Sequence, residues 1–220
     1  WVTSLVAGAC RYLEGPWLEA LARRCCVTAF MLVAGGLGAS RIAALHTGYT
    51  APVTIYAALS ERLAELRTSR GRLPTHVCIG GEWHRFMTSF FLPDSADHLA
   101  YVRFGPTGLL PAEFNVTLGT SGIPPHMNDR NLEEASRYID PRLCDFLIDL
   151  DLGGDEGGDI KSLREEPSWV VAAEAPFLNA AKSRQPWRAF FVPRLSAKKN
   201  VYASYRLLQR KPDWTAPRQP

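Results

Sequence analysis

Between Arg24 and Arg41 run sixteen consecutive uncharged residues, CCVTAFMLVAGGLGAS, and Ile42, Ala43, Ala44 and Leu45 continue the apolar character. Residues 25–45 therefore form a 21-residue stretch with one charge near its end. A bilayer core takes about 20 mostly apolar residues, and a terminal arginine snorkels to the headgroups, so the stretch is read as a transmembrane helix. The small residues Ala34, Gly35, Gly36, Gly38 and Ala39 suit close packing between membrane helices. A buried helix of a soluble core is the alternative, because the charge-free part is shorter than the ~18 residues usual for a span.

Arg11, Arg23 and Arg24 precede the stretch, and the positive-inside rule puts that end in the cytosol. Everything after Leu45 then lies across the membrane. Residues 1–24 read as the end of a preceding membrane helix and a short cytosolic hairpin, 46–210 as a luminal C-terminal domain, and 211–220 as a flexible tail. Asn115-Val116-Thr117 is the single N-x-S/T sequon, and Asn115 falls on the side where glycosylation takes place. The chain opens on Trp1 without a methionine, which is the expectation for a piece of something longer.

The 220 residues, 46% hydrophobic and 21% charged, suffice for a buried core and exclude disorder as the main state. The net charge is +3, but seven Lys or Arg residues against Asp213 put +6 in the last 27 residues. That is a basic tail rather than a nucleic-acid-binding domain. No CxxC occurs among the five cysteines, and Cys25 and Cys26 sit inside the apolar stretch.

After Tyr49 the spacing predicts a helix with Thr50 as cap, Pro52 in the first turn, and Ile55, Leu59, Leu63 and Leu66 on one face, ending at Arg70-Gly71. Strands are expected over residues 76–80, 101–104 and 143–152. A second helix is expected over 169–175. Two last strands, 187–192 and 201–208, flank a turn at 193–200. The order implies an α/β or α+β luminal domain with a mixed sheet and flanking helices, preceded by the transmembrane helix.

Three unusual segments carry more specific information: CIGGEWHRFMTSFFLPD from Cys78, GLLPAEF from Gly108, and HMNDRNLEEASRYIDPRLCDFLIDL from His126. With WRAFFVP near the C-terminus, they resemble the C-terminal luminal region of the dolichyl-phosphate-mannose-dependent alpha-1,2-mannosyltransferases of asparagine-linked glycosylation, in glycosyltransferase family 22. The resemblance runs over about residues 41–208. It implies a multi-pass endoplasmic-reticulum membrane enzyme that moves mannose from dolichyl-phosphate-mannose to a dolichyl-diphosphate oligosaccharide, with inversion and with no nucleotide sugar. The family's catalytic carboxylates are expected in an early luminal loop absent here, so no catalytic residue is assigned and the chain alone is expected to be inactive. Gly81, Met87, Arg130 and Ala135 depart from the family pattern, as does GGDEGGDI after Leu152.

Glu82-Trp83-His84-Arg85 offers an acid, a flat aromatic, an imidazole and a guanidinium, the inventory of a sugar site, and with Asn128 and Asp129 it forms the candidate acceptor-binding set. Core anchoring by Trp83 and Phe86, with Glu82 and Arg85 paired at the surface, is the alternative. Asn131 followed by Glu134 fits a helix cap with its reciprocal acid. Asp149-Leu150-Asp151 is formally a DxD, although strand alternation explains it as the solvent face of a half-buried strand. His76, Cys78 and His84 lack a fourth zinc ligand at standard spacing. No metal and no cofactor are expected; membrane lipid is, and nucleic acid is not. Cys78 and Cys144 are the only cysteines after Cys26, so they form either a luminal disulfide or two buried thiols, and adjacency of their strands decides which.

Overall fold

The computed structural model describes residues 16–71, 74–81, 89–94, 96–103, 108–112, 115, 117–153, 163 and 165–211. Contacts divide the chain into two units. One holds the first helix as far as Thr47 together with Ala180–Asn200, and the other holds Gly48–Asn179 and the chain from Val201 onward.

The first helix, α1, spans Pro16–Tyr49. Its 34 residues rise about 51 Å, well beyond a hydrocarbon core of ~30 Å. The part Trp17–Tyr49 is long and apolar enough to cross a membrane. Met31, Leu32, Val33 and Ile42 are each more than 60% exposed, an arrangement that lipid satisfies and water does not. The helix begins nine residues before the expected span, so residues 16–24, read as part of a hairpin, are helical. Pro16 suits the first helical position, and no proline follows it before Pro52 to end the helix.

The second unit starts with almost no break. Thr50 keeps helical dihedrals (φ −81°, ψ −9°), and α2 spans Ala51–Arg70. Gly71, at φ 78°, closes it by donating its N–H to the Arg67 carbonyl at 3.0 Å. Ile55, Leu59 and Leu63, four residues apart, are fully buried as the spacing predicts.

Among the described residues, five strands form one mixed sheet in the order β2-β1-β3-β5-β4. They are β1 (Thr75–Ile79), β2 (Asp97–Tyr101), β3 (Phe146–Asp151), β4 (Trp169–Leu178) and β5 (Tyr202–Arg210). β1 is parallel to β2 and β3, while β5 is antiparallel to β3 and β4. The α2 face joins Val77, Phe146, Ile148, Leu150, Phe177, Tyr205 and Leu207 in the main core. The opposite side buries Cys78, Cys144, Leu147, Trp169 and Leu208. A mixed sheet with flanking helices behind a long apolar helix matches the expected fold class.

Several elements differ from the sequence reading. Residues 169–175 are strand, not helix: Val170 and Val171 are β-branched, and the segment pairs with β5 along its whole length, with a bulge between Val171 and Ala173. β2 lies upstream of the expected 101–104. Residues 187–192 form turns between Pro186 and Pro193, and the expected turn at 193–200 contains a short helix, α3 (Leu195–Lys199). Asn131 starts no helix. It has φ 53°, and the residue that caps is Glu134, whose carboxylate accepts from Ser136 N ahead of a single 3-10 turn.

Candidate functional site

Chain direction defines one edge of the sheet. Leaving β1 the chain moves to β2 on one side, and β3 lies on the other side of β1, so the carboxyl ends of β1 and β3 flank a topological switch point. Gly81 leads from the end of β1 into Glu82, Trp83, His84 and Arg85, and these four lie outside the described residues.

At the carboxyl ends of β1 and β2, Ile79, Tyr101 and Leu110 make a small core. Burial pushes the Tyr101 hydroxyl up to about 12. Just beyond it Arg103 grips Glu133 through two bonds, Nε to Oε1 at 2.6 Å and Nη2 to Oε2 at 3.0 Å. Hydrogen bonding from Arg103, then its charge, holds the Glu133 carboxyl below its ordinary range. Burial and the Glu133 charge push Tyr138 upward.

The predicted Asn128 and Asp129 occupy the loop leading to Glu133. Asn128 Oδ1 accepts from Leu132 N at 2.8 Å and Arg130 N at 3.2 Å, and its Nδ2 donates to the Leu132 carbonyl at 3.0 Å. Its side chain thus holds the loop in shape. Asp129 is exposed. Asn131 Oδ1 accepts from Leu109 N at 3.0 Å, and a Cβ added to Gly108 would stand 3.1 Å from the Asn131 amide. Asn115 is exposed as well, with Oδ1 accepting from Thr117 N and Leu118 N, both at 3.0 Å.

The Asp149-Leu150-Asp151 segment is not a solvent face. Asp149 is 2% exposed, opposite Arg206 in the β3–β5 register. Arg206 Nη1 donates to Asp151 Oδ2 at 3.0 Å, its Nε donates to Ser204 Oγ at 3.0 Å, and Glu174 lies 3.6 Å away. The burial has a simple source: both faces of β3 are covered, so alternation along it does not separate core from water.

Cys78 and Cys144 are joined by a disulfide with Cα atoms 5.7 Å apart. Their runs are adjacent because β1 pairs with β3. Arg210 braces this corner, donating to the carbonyls of Cys144 (2.9 Å) and Pro141 (2.7 Å) and to Ser168 Oγ (2.9 Å), with its guanidinium 3.9 Å from the Trp169 ring centroid. His76 faces His98 with ring centroids 5.8 Å apart. Among the described residues no group of three or more His, Cys, Asp or Glu side chains is placed to hold a metal ion.

The Arg103–Glu133 pair and the Arg210 brace were not read from the sequence. Their partners lie 30 and 41 to 69 residues away along the chain, with no periodic signal to join them. In the first unit, Ser40 Oγ donates to the Phe191 carbonyl at 2.9 Å, Phe191 N donates back to the Ser40 carbonyl at 3.0 Å, and Arg41 Nη1 donates to the Ala189 carbonyl at 3.0 Å.

Residues 3–93 match the model of the Alg9-like mannosyltransferase family. The alpha-1,2-mannosyltransferases ALG9 of Mus musculus and Homo sapiens are each 38% identical over 178 residues, covering 80% of this chain and 29% of the relative. Saccharomyces cerevisiae ALG9 is 32% identical over 169 residues, covering 74% of this chain and 30% of the relative. The chain therefore spans less than a third of the length of these relatives. No solved structure matches.

Proposed function

Because the chain belongs, on these matches, to the Alg9-like mannosyltransferase family, we propose that the whole protein is an endoplasmic-reticulum membrane enzyme. It adds alpha-1,2-linked mannose from dolichyl-phosphate-mannose to the dolichyl-diphosphate oligosaccharide precursor of N-glycans. The similarity over 80% of the chain carries this reading. The exposed apolar surface of α1 supports the membrane setting. The Cys78–Cys144 disulfide supports a luminal second unit, since disulfides persist in oxidising compartments. No described residue is given a catalytic role, and the chain alone transfers no mannose.

In this reading Glu82, Trp83, His84 and Arg85, which follow β1 in the sequence, contact the oligosaccharide acceptor, as do Asn128 and Asp129. A second reading, a non-catalytic structural or interaction module, is favoured by one observation: Asn128 uses both its amide atoms within its own loop. His84→Ala in the full protein separates the two. Acceptor contact predicts reduced transfer with unchanged protein level and melting, whereas a parallel loss of stability favours the module.

Complementation of an alpha-1,2-mannosyltransferase-deficient cell by the full-length protein, with lipid-linked glycans read by mass, tests the activity. Unchanged truncated glycans refute it. Topology is tested at Asn115, which in the lumen is available for glycosylation. Asn115→Gln then abolishes a shift in mobility on endoglycosidase treatment, and digestion of the second unit by protease in sealed microsomes refutes luminal placement.

A further inference from the structure

Ala180–Asn200 contains Lys182, Arg184, Arg188, Arg194, Lys198 and Lys199 and not one aspartate or glutamate. The segment is bonded to α1 at Ser40 and Arg41. From Arg24 to Arg41 the helix rises about 26 Å, close to the ~30 Å of a hydrocarbon core, so the two arginines bracket the bilayer and Arg41 stands at headgroup depth. Trp187, Phe190 and Phe191, each half-buried, lie in the part of the segment bonded there, the depth at which aromatic side chains collect.

Internal bonds hold the segment in shape. Ser196 Oγ, wholly buried, accepts from Val192 N at 2.9 Å, and Asn200 Nδ2 donates to the Trp187 carbonyl at 3.2 Å. Arg188 serves this frame through the Ala180 carbonyl and the Gln185 amide oxygen. Arg184, Arg194, Lys198 and Lys199 are exposed around it. Arg194 has φ 64° and ψ −36°, a backbone state that glycine adopts at less cost, so its side chain stands where local folding disfavours one.

We infer that this segment binds the phosphate of an anionic membrane lipid at headgroup level. The inference rests on the reading that α1 crosses a membrane, and it deepens the proposed function because dolichyl-linked substrates are lipids of this class. Cations beside a membrane surface attract lipid phosphate, and arginine forks match phosphate oxygens.

The full chain in phosphatidylcholine nanodiscs is offered a polyprenyl phosphate or the matching polyprenol, and native mass spectrometry counts the lipid retained. Retention of the phosphate over the alcohol is expected. Arg184→Gln/Lys198→Gln/Lys199→Gln lowers it about a hundredfold, at about fivefold per cation. Arg194→Gly lowers retention while melting is unchanged or rises, the opposite of what a purely structural arginine would show. Equal retention of phosphate and alcohol, displacement by an equal concentration of inorganic phosphate, or unchanged retention in the triple variant overturns the inference. Complementation by the unaltered full protein is read separately: its success without phosphate preference removes this site and leaves the transferase reading, and its failure with the preference intact does the reverse.

Discussion

Reducing the Cys78–Cys144 bond should cost the second unit several kcal/mol. The cysteines are 66 residues apart in sequence, and closing a loop of that size in the unfolded chain corresponds to about 4 kcal/mol by chain entropy, an upper figure because residual unfolded structure subtracts from it. At 2–4 °C per kcal/mol for a domain of this size, the melting midpoint should fall by about 8–16 °C. Thermal unfolding of the full chain in detergent, followed by tryptophan fluorescence with and without reductant, reads the shift. Cys78→Ala/Cys144→Ala provides the second arm. It should resemble the reduced wild type to within about 1 kcal/mol, since two small buried side chains add only a modest packing loss. The reasoning fails if the midpoint is indifferent to reductant, or if both thiols are alkylated without prior reduction.

Arg67 on α2 pairs with the buried carboxylate of Asp97, so Arg67→Ala should destabilise by about 3 kcal/mol by leaving that charge uncompensated, read as a lowered melting midpoint. Glu133 has its carboxyl held down by Arg103, so its contribution is present above the ordinary carboxylate range and is lost as pH falls through the depressed folded value. Protection from hydrogen exchange in residues 131–138, taken relative to the intrinsic rate at each pH, should accordingly fall on acidification below about pH 4, and Glu133→Gln should remove that dependence. Gly108→Ala should displace the Asn131 amide and speed exchange of the Leu109 N–H without a large change in melting.

Elements whose pattern is local were readable in advance. Ile55, Leu59 and Leu63 mark α2 by their spacing, and β1, β3 and β5 follow from short apolar or alternating runs. β4 was not, because Ala172, Ala173 and Ala175 are at home in a helix and only pairing with β5 makes that segment a strand. The same limit explains Asp149: alternation predicts a wet face, and the covering chain comes from elsewhere in the sequence. Glu134 illustrates a motif read one step off, since the acid taken for the reciprocal partner is itself the cap. For the candidate acceptor set, sequence neighbourhood proposes Glu82 to Arg85, which lie outside the described residues, whereas the bonded role of Asn128 depends on a loop conformation that no residue pattern announces.

β5, last in chain order, lies between β3 and β4, so the sheet is completed from the middle. Until residues 202–210 leave the ribosome, β3 and β4 each present an unpaired edge, and the main core lacks Tyr205 and Leu207. Both cysteines have been made long before, so oxidation can join β1 to the approach of β3 while that gap is open. A stop codon or frameshift before residue 202 would therefore leave β3, already fastened to β1 by a covalent bond, and β4 with open edges rather than a slightly shortened domain, a form suited to retention by chaperones and to disposal.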